Sequence, residues 1–539
     1  MKNNRILTAI IVFFLLIGLV SYFAGLFIDV TRDAGKYATV AKEIYQNGNF
    51  INLTIHGDAY DQKPPMLFWL GATGFFVGNI SNFWFKFPVF ILVLLGFYWA
   101  FKLGESLYNR KVGILTAFLL FTSFIYSLYS MDIHTDTPLQ AFVALALWQL
   151  FEFIKTGKNK YFIWGFIAIG LSMLSKGPLG AAIPAFAVIG HLLLKRDFKR
   201  MLDYRWYLGI IIALIVVGPA LIGLMNQFGW NGLYFFFWEN MVGRITGTYV
   251  STVNDPIFYV HNLAYQLLPW SLLFYIIAFL DIRNLIKSKF RANEFFTFTG
   301  IWVYFIILNS SDSQLPNYIF TIVPLMAVLV AKWIYKAMDE NSNLIRYFFT
   351  VQNIVTVVLW TAVFTIAFYL FPGVNWYYWL LISIAIFSTW HIYTKVSYQL
   401  IRILAPSSIA IICLVFLLNI HVYPYIFSFQ APPKAGRYFT ENANSGDKLY
   451  NYRYGQYELF FYSEPQALQL SGYDEMKSIA GKKGDWIFTD ETGYNDILSL
   501  NHVPVIVKKY QHFNLNRGGE FILPKNREKS LHNMYLIRF

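Results

Sequence analysis

Charged side chains that could take part in chemistry lie in short polar segments between long apolar runs. "RDAGKYA" at residues 32–38 carries Asp33 and Lys36, and "YDQKPP" at 60–65 carries Asp61, Gln62 and Lys63. The two prolines stiffen the turn after Lys63, so its ammonium group and the aromatic segment that follows can face one interface. Such a cation suits a lipid phosphate, although a single lysine at this depth is more simply explained by snorkelling.

Further polar groups follow in the same kind of setting. "DTPL" places Asp136 at a predicted helix start, where a carboxylate is an ordinary partner of the helix dipole. "LSKGPLG" places Lys176 between two apolar runs, where an unpaired cation is costly and indicates function. "FWENMVGR" adds Glu239 and Arg244, and "LPNY" adds Tyr318. Each motif alone is unremarkable in a membrane protein, but their predicted occurrence on one face indicates a site.

The composition places the chain in a membrane. Of its 539 residues 57% are hydrophobic and only 14% are charged, which is too apolar for a soluble globular protein. The apolar run from residue 7 to residue 28 is long enough to cross a hydrocarbon core of ~30 Å and longer than the ~7 to 15 apolar residues of a signal peptide. We therefore expect this first run to be an anchor.

The apolar windows predict an α-helical polytopic protein with thirteen transmembrane helices. They lie at about 6–28, 82–104, 112–130, 137–155, 161–175, 178–194, 207–226, 257–280, 295–309, 316–336, 346–371, 376–393 and 400–425. With the N-terminus in the cytoplasm, basic residues fall at every inner connection, as the positive-inside rule requires. The net charge of +13 thus sets topology and does not indicate a nucleic acid partner.

The chain divides into two predicted parts. Residues 1–429 form the membrane domain, in which loop 29–81 is expected to contribute interfacial helices on the outer side. Residues 430–539 follow a proline-rich boundary and have short apolar strings between polar turns, which predicts a small extracytoplasmic α/β domain. The pattern of this second part names no chemistry.

In order and spacing, the six motifs resemble those of the polytopic glycosyltransferases that use sugars linked to lipid phosphates. This is the superfamily of aminoarabinose transferases and protein O-mannosyltransferases, with the C-type glycosyltransferase fold. The resemblance covers about residues 5–335 and is weak beyond them. It implies inverting transfer of a sugar from a polyprenyl phosphate to a lipid, glycan or protein acceptor on the outer side of the membrane. It also implies the bacterial inner membrane and no cofactor or metal.

The resemblance further implies a role for each candidate residue. It assigns catalysis to Asp33 and Asp136, donor phosphate binding to Lys36, Lys63, Lys176, Arg244 and Tyr318, and substrate contacts to Asp61, Gln62 and Glu239. Asp33 is the expected general base, or the carboxylate that positions the acceptor. Two departures concern the donor sugar: the superfamily has a glutamate where this chain has Gln62, and a lysine where it has Gln314.

Two alternative functions remain open at the level of the sequence. A polymerase or ligase that joins whole glycans would use the same donor chemistry. A transporter or flippase would have ionisable groups near the membrane midplane, but the predicted span centres are almost free of charge. Asp132 and Asp136 could bind a divalent cation, although paired carboxylates at a helix start are more common without one. The only cysteine, Cys413, lies in an apolar run.

Overall fold

The computed structural model describes residues 2–249, 252, 255–515 and 518–539. The chain is mostly helical, with a small sheet near the C-terminus. The longer helices of the bundle are Lys2–Gly25, Asn82–Leu107, Arg110–Phe121, Asp136–Thr156, Asn159–Lys176, Leu179–Leu194, Arg205–Phe228, Ser271–Lys287, Phe296–Asn309, Val323–Asp339, Leu344–Thr365, Trp376–Lys395 and Gln399–Leu417.

Shorter helical segments connect and extend these helices. They are Arg32–Asn47, Met66–Gly78, Phe124–Met131, Phe198–Met201, Trp230–Tyr234, Phe258–Gln266 and Tyr423–Phe427, with π-helical turns at Phe235–Gly243, Ile366–Leu370 and Leu418–Val422 and a 3-10 segment at Pro316–Ile322. Helices therefore occur at all thirteen positions that the apolar windows predict.

Length and apolarity alone support fewer spans than thirteen. Within the described residues, seven helices satisfy both requirements for crossing a bilayer, and the bent pair Arg110–Phe121 and Phe124–Met131 would make an eighth. The remaining helices of the bundle do not satisfy both requirements; Leu179–Leu194 and Phe296–Asn309, for example, are apolar but shorter. The protein is an integral membrane protein.

The C-terminal segment 431–539 contains the small sheet. Strands β3 (Lys448–Asn451), β4 (Leu468–Gln469), β5 (Asp485–Asp490), β6 (Ile506–His512) and β7 (His532–Arg538) follow the short hairpin of β1 (Thr54–Ile55) and β2 (Asp58–Ala59). The spatial order is β4-β3-β5-β7-β6, with β3 parallel to β4 and β5, and β7 antiparallel to β5 and β6. Helices Ala431–Asn442, Glu458–Tyr462, Tyr473–Ile479, Glu491–Leu498 and Gly518–Ile522 accompany it, with 3-10 turns at Pro524–Asn526 and Glu528–Ser530.

The Arg32–Asn47 helix is more enclosed than the sequence predicts. Its apolar face suggests a helix that lies on the membrane surface, but ten of its residues are buried. It packs on the Met66–Gly78 helix and on the Glu458–Tyr462 helix of the C-terminal segment. The physical reason is a contact between distant parts of the chain: Phe461 belongs to the same apolar cluster as Ala38 and Phe75.

Candidate active site

An ion pair joins the ends of two bundle helices. Lys176 ends the Asn159–Lys176 helix and Asp136 begins the Asp136–Thr156 helix, and Lys176 Nζ lies 2.6 Å from Asp136 Oδ1. Gly177 follows with a φ of +63°, a conformation that glycine adopts without strain, and it allows the chain to turn sharply after Lys176. The Asp136 side chain is 1% exposed. We call this end of the bundle the site end.

The 3-10 segment Pro316–Ile322 completes the surroundings of this pair. Asn317 Nδ2 donates to the second carboxylate oxygen of Asp136, Oδ2, at 2.6 Å. The Lys176 ammonium group lies 3.7 Å from the centre of the Tyr318 ring, where the electron-rich face attracts a cation. Both oxygens of Asp136 are thus engaged, and Lys176 is held between a carboxylate and a ring.

Arg244 brings a second cation to Tyr318. It follows the π-helical turn Phe235–Gly243, and its Nη1 donates to the Tyr318 hydroxyl at 3.2 Å. Its Nε donates to Asn240 Oδ1 at 2.9 Å, and its carbonyl accepts from the Ser311 hydroxyl at 3.2 Å. These contacts fix the guanidinium group without a carboxylate partner among the described residues.

Lys63 supplies a third cation to the same cavity. Lys63, Lys176 and Arg244 line it together with Tyr318. Burial, together with the positive charges of Arg244 and Lys176, lowers the pKa of Lys63 to about 7. Three basic side chains therefore face one cavity, and Asp136, which pairs with Lys176, offsets their charge only in part. This electrostatic environment suits an anion.

The other walls of this cavity are mainly apolar. Phe236, Met241, Leu179 and Leu308 line it beside the polar groups. A larger apolar groove between the helices Asn159–Lys176, Leu179–Leu194 and Arg205–Phe228 shares Pro178 with the cavity. A ligand with a charged head and a long apolar chain would satisfy both regions.

Asp33 and Lys36 lie on the first turns of the Arg32–Asn47 helix. Lys36 donates a hydrogen bond to Gln62 Oε1, and its Nζ lies 5.4 Å and 5.1 Å from the ring centres of Tyr60 and Tyr457. Burial lowers the pKa of Lys36, whereas Asp33 and Asp61 raise it. The negative charge of Asp33 also acts on Lys63. The structure therefore brings the motifs of residues 32–38 and 60–65 together.

Asp33 is exposed and opens into a second cavity. His134 and Asn317 also line this cavity, whereas its far wall is apolar and includes Phe427 and Phe521. Asn317 faces this cavity and the neighbouring Tyr318 faces the cation-lined cavity, so the 3-10 segment separates the two. The site end thus offers two binding regions side by side.

Asp61 and Glu239 are placed at the edge of the site. Burial raises the pKa of Asp61, and the charge of Glu239 raises it further, whereas Lys36 lowers it. Gln62 is exposed and contacts Lys36. All ten candidate residues thus lie at the site end, in two neighbouring groups.

Gln314 has a different role from the one its motif suggests. Its side-chain amide donates to the carbonyls of Asp255 and Asn309 and accepts from the Asp255 backbone N–H at 2.9 Å. The amide is therefore bonded to backbone groups of Asp255, in the loop that follows Arg244, and of Asn309, at the end of the Phe296–Asn309 helix. At this position a neutral side chain fastens the loop and adds no charge to the site.

Comparison with known proteins shows what this chain is similar to. The family model described as dolichyl-phosphate-mannose-protein mannosyltransferase matches residues 62–222. An uncharacterized protein of Aquifex aeolicus is 27% identical over 60% of this chain and 62% of its own length. The undecaprenyl phosphate-α-4-amino-4-deoxy-L-arabinose arabinosyl transferase 2 of Proteus mirabilis is 24% identical over 67% of this chain and 66% of its own length. These matches span less than two thirds of either relative.

The similarity in fold to a solved structure covers nearly the whole chain. The crystal structure of ArnT from Cupriavidus metallidurans bound to undecaprenyl phosphate superimposes with a TM-score of 0.74, covering 98% of both chains at 15% identity. The chain is thus similar to the protein mannosyltransferases and to the aminoarabinose transferases over the regions that match. The family match lies within the region where the sequence motifs resemble those of this superfamily, and the shared fold includes the C-terminal segment.

Several site residues were not singled out by the motifs. Asn317 lies in "LPNY" beside Tyr318, and Asn240 lies in "FWENMVGR". Both could have been proposed from the sequence because they belong to motifs that already supplied candidate residues. Tyr457 comes from the C-terminal segment, where no sequence pattern indicated a link to Lys36. Among the residues that the structure describes, no group of three or more His, Cys, Asp or Glu side chains is placed to hold a metal ion.

Proposed function

We propose that this protein is an inverting glycosyltransferase that moves a sugar from a polyprenyl phosphate to an acceptor on the outer side of the membrane. The observation that carries the proposal is the cluster of Lys63, Lys176 and Arg244 around one cavity beside an apolar groove. The names of the arabinosyl transferase relatives support the donor class.

The cationic cluster would stabilise the leaving group. As the bond between the anomeric carbon and the phosphate oxygen breaks, its electron pair stays on the phosphate, which leaves as an anion and needs no general acid. Lys63, Lys176 and Arg244 would offset this charge, and the Tyr318 hydroxyl would donate a hydrogen bond to it. Fixed charges in a site that excludes water are among the largest contributions to catalysis. The prenyl chain would lie in the apolar groove.

Asp33 is the proposed general base. It is exposed to the second cavity, where the acceptor would bind, and it lies close enough to the donor cations to influence Lys63. An acceptor hydroxyl oxygen would attack the anomeric carbon opposite the phosphate and transfer its proton to Asp33, which inverts the configuration. Lys36, on the same helix, would assist in offsetting the charge of the donor phosphate.

Asp136 serves this mechanism in a different way. Its two oxygens already accept from Lys176 and Asn317, so it is poorly placed to accept a proton from an acceptor. We assign it to orienting Lys176. Asp61, Gln62 and Glu239 lie at the rim, where they would contact the donor sugar.

The membrane arrangement belongs to the same proposal. Thirteen spans, a cytoplasmic N-terminus and an extracytoplasmic domain at 430–539 would place the site end of the 1–429 domain on the outer side. The expected location is the bacterial inner membrane. The acceptor is a lipid, glycan or protein of the cell envelope.

A transfer assay with purified protein tests the function. The substrates are a polyprenyl phosphate that carries one sugar and an extract of envelope lipids and glycans. We expect release of polyprenyl phosphate and a product of inverted configuration, established by NMR. If only preassembled glycans were transferred, the protein would be a polymerase or ligase. If the donor crossed the vesicle membrane without release of polyprenyl phosphate, the protein would be a flippase.

A further inference from the structure

The helix that carries Asp33 and Lys36 begins without a side-chain cap of its own. Thr31 precedes it in extended conformation and makes no capping hydrogen bond with its side chain. The Arg32 backbone N–H donates instead to Glu458 Oε1 of the C-terminal segment. Backbone N–H groups at a helix start lack partners within the helix, and a carboxylate there is favoured by the helix dipole. Glu458 thus caps this helix from a distant part of the chain.

Glu458 is held in this position by its own surroundings. Its side chain is 2% exposed, and its second oxygen accepts from the Tyr454 hydroxyl at 3.1 Å. Gly35, between Asp33 and Lys36, allows the close approach. A Cβ atom at Gly35 would lie 3.1 Å from Glu458 Cγ, which is tighter than ordinary side-chain contacts. Gly35, the glycine in "RDAGKYA", therefore leaves room for the side chain of Glu458.

The same two segments are also in contact about three turns later along the helix. Lys42 is 1% exposed, and its ammonium group donates to the carbonyls of Phe460, Phe461 and Ser463 at 3.1, 3.2 and 2.5 Å. These carbonyls lie at the end of the Glu458–Tyr462 helix. Glu458 thus contacts the start of the Arg32–Asn47 helix, and Lys42 of that helix contacts the carbonyl end of the Glu458–Tyr462 helix.

Tyr457 brings the C-terminal segment into the site itself. Its ring centre lies 5.1 Å from Lys36 Nζ, and its backbone carbonyl accepts from the Thr39 hydroxyl at 3.3 Å. The donor cations Lys63, Lys176 and Arg244 lie on other elements of the bundle. The orientation of Asp33 and Lys36 relative to those cations thus depends on a contact that the C-terminal segment makes.

We propose that Glu458 and Tyr457 are positioning residues, through which the C-terminal segment fixes Asp33 and Lys36 against the donor cavity. This inference rests on the proposed function of the site. Small displacements of a reacting group are costly, and a misplacement of about 1 Å can reduce a rate by about 100-fold. Loss of the contact should therefore lower turnover and leave donor binding in place.

The test uses the full-length protein with Glu458→Ala, Glu458→Gln and Tyr457→Leu. We expect Glu458→Ala to reduce kcat by about 10-fold or more, by displacement of the reacting groups. Glu458→Gln keeps an oxygen that accepts from Arg32 N–H, so it should restore most of the activity. The stoichiometry of radiolabelled polyprenyl phosphate binding should stay native in all three, and the affinity should change much less than kcat because Lys63, Lys176 and Arg244 remain in place; this separates lost turnover from lost folded protein.

Hydrogen exchange gives a readout that needs no turnover. The amides of residues 32–36 should exchange faster in Glu458→Ala than in the native protein or Glu458→Gln. Glu464→Gln is the matched control, because Glu464 pairs with Lys42 in the same contact but lies away from the helix start. It should leave both kcat and exchange unchanged.

The outcomes separate this inference from the proposed function. Native kcat in Glu458→Ala, or unchanged exchange at residues 32–36, would overturn the positioning role. If Glu458→Ala lost donor binding as well, the Tyr457→Leu variant would decide. A reduced kcat with intact donor binding in Tyr457→Leu would support positioning, and a native kcat in that variant would refute it. If the native protein transferred no sugar, the proposed function would fail, and the exchange data alone would decide whether Glu458 positions the helix.

Discussion

Lys176 and Asp136 form a buried ion pair, with Nζ 2.6 Å from Oδ1, at the junction of two bundle helices. We predict that Asp136→Asn impairs donor binding, because Lys176 loses the carboxylate that orients it, and that it destabilises the protein, because the buried Lys176 charge loses its partner. Breaking a buried pair in this way typically costs about 3 to 5 kcal/mol. Donor affinity and thermal unfolding in detergent measure the two effects.

Asp281→Asn is the matched control for this prediction. Asp281 is buried, with Lys332 Nζ at 3.3 Å and the Trp333 indole N–H at 2.8 Å. Lys332 lies on the Val323–Asp339 helix, about 20 Å from Tyr318 at a rise of ~1.5 Å per residue. Asp281→Asn should lower stability and keep donor affinity. Equal donor affinity in native protein and Asp136→Asn would contradict the role given to Lys176.

Lys63 should make donor binding dependent on pH. Because its pKa is lowered to about 7, Lys63 is protonated below that pH and loses its charge as the pH rises through it. The charge of a phosphodiester is constant in this range, so donor affinity should fall between about pH 6 and pH 8, in the interval around the lowered pKa. Equilibrium binding of the donor at a series of pH values measures the effect.

Two variants check the origin of this pH dependence. Lys63→Met should bind the donor weakly at every pH and show no transition near pH 7. Arg244→Ala should also weaken binding, but it should keep a transition, shifted to higher pH because one neighbouring positive charge is gone. Normal transfer rates at low donor concentration in both variants would refute the assigned phosphate site.

Asp33→Asn should abolish turnover and leave donor binding nearly native. The amide keeps the shape of the side chain but cannot accept a proton, and a general base contributes roughly 10² to 10⁴-fold to a rate. Single-turnover transfer and donor binding measure the two quantities. Asp58→Asn, an exposed carboxylate on β2, should behave as native protein. If Asp33→Asn retained activity, the base would have to be sought at Asp61 or Asp136.

Gln62 predicts a preference for a neutral donor sugar. Charge-assisted hydrogen bonds are roughly twice as strong as neutral ones, so an amide in place of the superfamily's glutamate weakens recognition of an amino sugar. A competition between amino-sugar and neutral-sugar polyprenyl phosphates measures the preference in native protein and in Gln62→Glu. Asp61→Asn belongs in the same assay, since Asp61 is the neighbouring carboxylate. If the native protein preferred the amino sugar, the idea would be refuted. Loss of that preference in Asp61→Asn would then identify Asp61 as its cause.

Cysteine labelling tests the proposed orientation. Asn47→Cys lies at the exposed end of the Arg32–Asn47 helix, and Asn343→Cys lies in an exposed connection between two bundle helices. In intact cells an impermeant thiol reagent should label the first and not the second. Native Cys413 is buried and should not react. Labelling of Asn343→Cys from outside would contradict the thirteen-span arrangement.

The helices and much of the candidate site could be predicted from the sequence, because both rest on local patterns. Long apolar windows require helices, since backbone groups in a lipid core must bond within their own segment. The spacing of the prolines and charges around Lys63, Lys176 and Arg244 carried the superfamily resemblance. The number of spans stays a prediction, because short helices such as Leu179–Leu194 are defined by their neighbours as much as by their own apolarity.

Only the tertiary structure determined how these groups pair. The sequence assigned catalysis to both Asp33 and Asp136, with Asp33 as the expected base, but only packing places Asp136 between Lys176 and Asn317 and leaves Asp33 exposed. Likewise, no local pattern connects Glu458 to Arg32, which is 426 residues away in the chain. A contact of this kind depends on how two segments far apart in the chain pack together, and the periodicity of either segment does not indicate that packing.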